Sequence, residues 1–334
     1  MRVDSSTVPN GSPPRWRRRA IELAATVAVA ATLLALTLHF VDMQRVADGL
    51  RKIGVTAALL ATFLMLVQVV LCALRWMLIT RLTPTPLPLG IAMRGYLEAA
   101  FVNAFLPSLI ASDGTRMVRA VAGGASPTQA FVGVATDRLV ALCALALASA
   151  TGLLLLPDAS RHPLIVLALV GLLPAFVVGL VVLDILGRTF VRFQHSRIVR
   201  PFLELASLME RLRSMPGLTL LVLMISLAGQ ALLAGTFYVL ARQLDLGIGY
   251  WPMFALSAPI IVYSAVPISV GGWGVREALS AALFGLIGVA PASGVALSIA
   301  FGLVISAVGL FCGALALIAT IRSRTLALQK AAQS

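Results

Sequence analysis

The residues best placed to do chemistry lie in two short clusters of charge, proline and glycine that share one spacing. The first reads Asn103-Ala-Phe-Leu-Pro107-Ser108-Leu-Ile-Ala-Ser-Asp113-Gly114-Thr115-Arg116-Met-Val-Arg119, and the second Pro267-Ile-Ser269-Val-Gly271-Gly272-Trp273-Gly274-Val-Arg276-Glu277. In each, a glycine follows the proline by seven positions and an arginine by nine: Pro107–Gly114–Arg116 and Pro267–Gly274–Arg276. The planar fork of arginine suits a phosphate or a carboxylate. Asp113 and Arg116, three apart, share a helix face and can pair; Arg116 and Arg119 have the same spacing and can grip one phosphate together. Two roles stand open for Arg116, ligand contact or a staple to Asp113. Two also stand open for Arg119, phosphate contact or snorkelling to the membrane surface. In the second cluster Gly271, Gly272 and Gly274 permit positive φ and close backbone approach. Backbone N–H groups at the start of the Arg276 arm suit an anion. The plainer alternatives there are tight hairpin packing and an Arg276–Glu277 salt bridge at the interface.

Other ionisable groups sit inside apolar sequence. Asp137-Arg138 lies a third of the way into an apolar run, too deep for snorkelling, and is expected to close a polar cavity with the first cluster. Arg75-Trp76 ends another run and reads as an interfacial anchor. Cys72, Cys143 and Cys312 are isolated, and His39, His162 and His195 are scattered, so no metal site is spelled out. No Ser/His/Asp set, no carboxylate pair with histidine and no phosphate-binding glycine loop is present. The sequence therefore points to no catalytic residues, no cofactor and no metal, and away from an enzyme.

The elements that must hold these residues are membrane helices. The chain has 334 residues, 60% of them hydrophobic and only 12% charged, with a mean hydropathy of +0.99. Soluble domains carry about a quarter charged residues, so this composition defines a polytopic membrane protein. Runs of spanning length, about 20 residues, cover 20–40, 55–79, 126–156, 163–186, 217–241 and 292–321. Four shorter runs, 89–106, 108–125, 252–266 and 276–290, flank the two Pro/Gly breaks in pairs. A break at membrane depth needs its backbone satisfied by protein or by a water-filled cavity. Paired breaks in two halves of a hydrophobic chain mark a transporter-type binding site.

The expected fold is all-α, with six full spans and two re-entrant hairpins arranged as span, span, hairpin, span, repeated once upside down. The first repeat covers 20–156 and the second 163–321; eight to ten simple spans are the alternative. Pro107, Gly114, Pro267, Gly271, Gly272 and Gly274 are the expected hinge positions, and the expected substrate contacts are Asn103, Ser108, Asp113, Arg116, Asp137, Arg138, Ser269, Arg276 and Glu277. Residues 1–19 form a basic tail, and 20–40 is too long for a signal core, which leaves it as a retained first span. The net charge of +13 is spread through the gaps between runs rather than gathered into a nucleic-acid patch. With the N-terminus inside, all basic residues but Arg45, Arg51, Lys52, Arg161, Arg242 and Arg276 fall on or near the cytoplasmic side. The tail 322–334 then lies inside too, as does the basic loop 188–216. That loop reads either as an amphipathic helix on the anionic leaflet or as a solvated connector.

With these residues in place the chain resembles the flippase-like transmembrane family, the membrane region of lysylphosphatidylglycerol synthases (multiple peptide resistance factors) and their stand-alone relatives. The likeness covers about 20–321 and rests on Leu74-Arg75-Trp76, on Asn103, Leu106-Pro107-Ser108, Asp113 and Arg116, on Asp137-Arg138-Leu139, and on Pro267 to Glu277. Ala111-Ser112 stand where the family usually has two glycines. The resemblance implies translocation of a polar-headed lipid, phospho- or glyco- or aminoacylated, across a bacterial inner membrane. It also implies a stand-alone member without the synthase domain. Membrane lipids are the expected partners, with a lipid-modifying enzyme or a second copy as further ones. The rival reading is a non-transporting scaffold or accessory subunit of a lipid-modifying enzyme. Arg116 and Arg276 are the expected phosphate contacts, and Asp113 and Glu277 orient them or receive a cationic headgroup.

Overall fold

The computed structural model describes residues 43–105, 109–151, 163, 166–167, 171–189, 196, 199–264 and 274–333. Among the described residues the chain is helical throughout. In order the helices are α1 (Met43–Arg51), α2 (Val55–Thr80), α3 (Leu89–Phe105), α4 (Leu109–Ala122), α5 (Pro127–Ala150) and α6 (Leu172–Thr189), then α7 (Arg200–Ser214), α8 (Pro216–Gln243), α9 (Tyr250–Ser264), α10 (Val275–Leu286) and α11 (Pro291–Gln333). The expected span at 20–40 lies outside the described residues. So do Pro107, Ser108, Pro267, Ser269, Gly271 and Gly272, and the span at 163–186 is described chiefly as α6.

Helix is what such sequence must form in lipid, because only a helix satisfies every backbone group within one segment. α2, α5, α8 and the Pro291–Arg322 part of α11 have 26, 24, 28 and 32 residues and are long and apolar enough to cross a membrane. The protein is thus an integral membrane protein. α3, α4, α9 and α10 have 17, 14, 15 and 12 residues. Each falls short of the roughly 20 residues that a hydrocarbon core requires.

Side chains sort accordingly. Val55, Leu59 and Phe63 of α2, Leu220 and Met224 of α8, and Leu303, Leu310 and Ile318 of α11 face outward. The largest core joins Phe237, Leu240, Met253, Leu256, Ile260, Phe284, Leu297 and Phe301 between α8, α9, α10 and α11. Close approach across the bundle uses small residues. On α11, Gly313 lies against Phe101 of α3, where an added Cβ would stand 2.5 Å from the ring; Gly309 lies one turn earlier against Ala100 and Ala104.

Helix neighbours come in matched sets around the α2–α8 pair. α2 packs on α3 as α8 packs on α9, α3 on α4 as α9 on α10, and α4 on α5 as α10 on α11. Between the halves, α3 packs on α11 as α9 packs on α5, α2 on α11 as α8 on α5, and α1 on α11 as α7 on α5. The turns match as well. α4 ends at Gly124 (φ 97) and α10 at Gly288 (φ 86). After each, a backbone N–H reaches back five residues, Ala125 N to Ala120 O at 3.1 Å and Val289 N to Phe284 O at 3.0 Å. This is the glycine-closed helix end whose left-handed residue disfavours a side chain, and Pro127 and Pro291 start the next helices.

α2 and α8 run antiparallel. At one end Lys52 pairs with Asp245 at 3.8 Å and Gly54 N donates to Gln243 Oε1 at 3.4 Å. At the other, Arg211 Nη1 donates to the Leu82 carbonyl at 3.2 Å. The described part of the basic loop is a helix, as one of the two expectations had it, and α7 buries Leu205, Leu208 and Leu212 with Leu78, Ile79, Val132 and Val222. These three leucines are covered by protein, while Phe202 stays exposed; Phe190 and Phe193 lie outside the described residues.

Candidate functional site

The first cluster folds into one ion-pair network held by four helices. Asp137, on α5 and 1% exposed, accepts from Arg75 Nε of α2 at 2.7 Å on one oxygen and from Arg116 Nη2 of α4 at 2.7 Å on the other. Tyr96 of α3 donates to that second oxygen at 2.5 Å. Arg75 Nη1 also donates to Ser226 Oγ of α8 at 3.1 Å, which ties the network to the second half of the chain. Arg116 is fully buried, its guanidinium carbon 4.3 Å from the Tyr96 ring centre and 4.7 Å from that of Trp76. Aromatic faces stabilise a cation there.

The network continues outward. Arg116 Nη1 reaches Asp113 Oδ1 at 3.3 Å, and Arg138 of α5 holds the same carboxylate through Nε at 2.9 Å and Nη2 at 2.7 Å. The side chains of Arg138 and Asp113 are 40% and 23% exposed. Arg138 stands about 16 Å along α5 from its first residue, halfway along a helix long enough to cross a membrane. One turn along α4, Arg119 pairs with Glu98 of α3, both half-buried. Across the five central groups the charge does not cancel, with three arginines (75, 116, 138) against two aspartates (113, 137).

The second cluster is smaller. Arg276 Nη2 donates to its neighbour Glu277 at 2.9 Å, and Ser298 Oγ of α11 bridges them, accepting from Arg276 Nε at 3.0 Å and donating to Glu277 Oε1 at 2.8 Å. The arginine lies 5.7 Å from the Phe301 ring centre. Gly274, at φ 85, opens α10, and its N–H donates to Glu277 Oε2 at 2.6 Å. Arg276 and Glu277 are 3% and 0% exposed. Both repeated arginines thus sit buried beside an aromatic ring and bonded to the helix that follows.

The structure brings Asp113, Arg116, Asp137 and Arg138 together, and joins Arg276 to Glu277. Asn103 is half-buried near the end of α3, and Gly114 lies inside α4 with open space around its Cα. Arg75 and Trp76 correct the sequence reading. Both lie inside the bundle, 6% and 0% exposed, where Asp137 and Ser226 hold Arg75. Arg119 pairs with Glu98 instead of reaching the surface alone. Tyr96, Ser226 and Ser298 carry no sequence signal, because single hydroxyls in apolar helices are common packing residues.

Buried ion pairs across several short and long apolar helices, with the Arg138–Asp113 pair partly exposed, define a polytopic membrane protein built around a polar interior. The chain belongs to the lysylphosphatidylglycerol synthase TM region family, whose model matches residues 23–319. Membership ties it to lipid modification or transport. No curated protein matches the chain.

Proposed function

We propose that the protein is a lipid flippase, moving a polar-headed lipid between the leaflets of a bacterial-type cytoplasmic membrane. The observation that carries this reading is the Arg138–Asp113 pair, accessible at the depth where acyl chains would otherwise lie. Charge at that depth costs several kcal/mol against hydrocarbon and faces water or a polar ligand instead. Arg138 with Asp113, and Arg119 with Glu98, meet the headgroup in this conformation. Arg116 and Arg276 are held in reserve by their carboxylates and reach the phosphate as the helices that carry them move. The matched helix neighbours support an inverted repeat in which α3–α4 and α9–α10 are re-entrant hairpins between six full spans, with both termini in the cytoplasm.

The test is translocation of headgroup-labelled lipids in proteoliposomes, wild type against Arg138→Gln, Arg116→Ala and Arg276→Ala, with the folded fraction measured in parallel. Arg138→Gln is expected to abolish transport and leave folding intact. A second reading, an accessory subunit of a lipid-modifying enzyme, is favoured by the complete burial of Arg116 and Arg276, which suits staples. No wild-type transport of anionic, zwitterionic or aminoacylated lipid would sink the flippase reading and leave that one.

A further inference from the structure

The first network is a chain of alternating sign. Arg75 pairs with Asp137, Asp137 with Arg116, Arg116 with Asp113, and Asp113 with Arg138. Both ends are arginines, so the chain holds one positive charge more than it balances. The Arg119–Glu98 pair is neutral and leaves that sum unchanged. The two ends differ. Arg75 is buried and its Nη1 donates to Ser226 Oγ. The side chain of Arg138 is 40% exposed, which gives an oxygen room to approach it. Asp113 holds its Nε and Nη2, while its Nη1 donates to no described residue. That two-point grip sets the plane of the guanidinium and the direction of its remaining N–H groups. Asp113 in turn accepts four contacts from Arg116 and Arg138, about as many as an ionised carboxylate can take. Leu142, one turn along α5 on the same side as Arg138, is 39% exposed.

We infer that Arg138 receives a phosphate oxyanion carrying one negative charge, and that the protein prefers an anionic phosphodiester lipid to a zwitterionic one. An anion is the next member of the alternating chain and brings its charge to zero, which counts for most where water is scarce. The planar N–H edge of arginine matches phosphate oxygens. An ammonium group finds no such place, because the open end of the chain is a cation and the lone pairs of Asp113 are taken. A lipid phosphodiester and a free phosphate ion share the oxyanion chemistry. The exposed leucine beside Arg138 favours the lipid, whose acyl chains need an apolar neighbour. As cargo, this lipid rests on the flippase reading; as a bound ligand it does not.

The test titrates the delipidated protein, in a non-ionic detergent, with phosphatidylglycerol or phosphatidylethanolamine and reads the bound fraction by native mass spectrometry. Phosphatidylglycerol, with one net negative charge, is expected to bind at least tenfold more tightly than the zwitterion, and Arg138→Gln to erase that preference. Leu142→Glu leaves Arg138 in place and offers it a carboxylate one turn away; it is expected to erase the preference too, while the uncharged Leu142→Gln keeps it. Inorganic phosphate that displaces the lipid assigns the site to the phosphate ion in general, and lipid that resists it assigns the site to the headgroup. Equal binding of the two lipids by the wild type overturns the inference, as does a preference that Arg138→Gln or Leu142→Glu leaves unchanged. Translocation is measured separately in proteoliposomes. Selective binding without translocation would keep the site and sink the flippase reading, and translocation without selectivity would do the reverse.

Discussion

Asp137 holds two guanidinium groups at once, one on each oxygen, with a phenol hydroxyl beside the second. Neutralising it leaves two buried cations short of a counter-charge, a change that costs about 3–5 kcal/mol. Asp137→Asn is therefore expected to lower the melting temperature in detergent by on the order of 10 °C. Arg138→Gln, at a pair partly open to solvent, is expected to change stability by less than about 1 kcal/mol. Equal losses in the two variants would show that the outer pair is as desolvated as the inner one. Part of this was readable in the sequence. Asp113 and Arg116 stand three apart on a helix, and Asp137-Arg138 is too deep to snorkel, so their meeting was expected. Arg75 was misread as an interfacial anchor because it lies near the end of its run, and nothing in the sequence showed that Asp137 and Ser226 of other helices hold it inside.

At the scale of elements, the two Pro/Gly breaks named from the sequence fall outside the described residues, and the short helices on either side of them, α3, α4, α9 and α10, were legible from the length of their apolar runs. The packing partner of each arm was not, because apolar helices in lipid carry no periodic polar face to say which neighbour they choose. The seat of α3 on α11 is set instead by absent side chains. Gly313→Leu drives a branched side chain into Phe101 and is expected to cost about 1–3 kcal/mol of stability, read as a lower melting temperature in detergent. Gly114→Ala makes the opposite case, since a Cβ there meets nothing within 4 Å. In a helix interior this change stabilises by up to roughly 1 kcal/mol. Transport that collapses in a stable Gly114→Ala protein would establish a hinge within α4. The amphipathic character of the basic loop was visible as its leucines among arginines, but α7 spends that face on the ends of α2, α5 and α8.

At the scale of the molecule, the antiparallel α2 and α8 set which loops share a side. In a protein with Cys72, Cys143 and Cys312 replaced, single cysteines at Lys52 and Asp245 are expected to react with an impermeant maleimide from one side of the membrane. Cysteines at Thr83 and Ser214 are expected to react only from the other, and labelling of all four from one side would break the arrangement. Three matching positions in each half raised the expectation of a repeat, while the packing of α3 on α11 and of α9 on α5 needed coordinates. The unequal charge of the first network has an electrical consequence. Three arginines against two aspartates leave one positive charge in excess inside the membrane. Carrying a unit charge through the full transmembrane field is worth about 2.3 kcal/mol at 100 mV, so a shift across a quarter of that field is worth about half a kcal/mol. Any movement of these helices along the membrane normal would therefore also move charge through the transmembrane field.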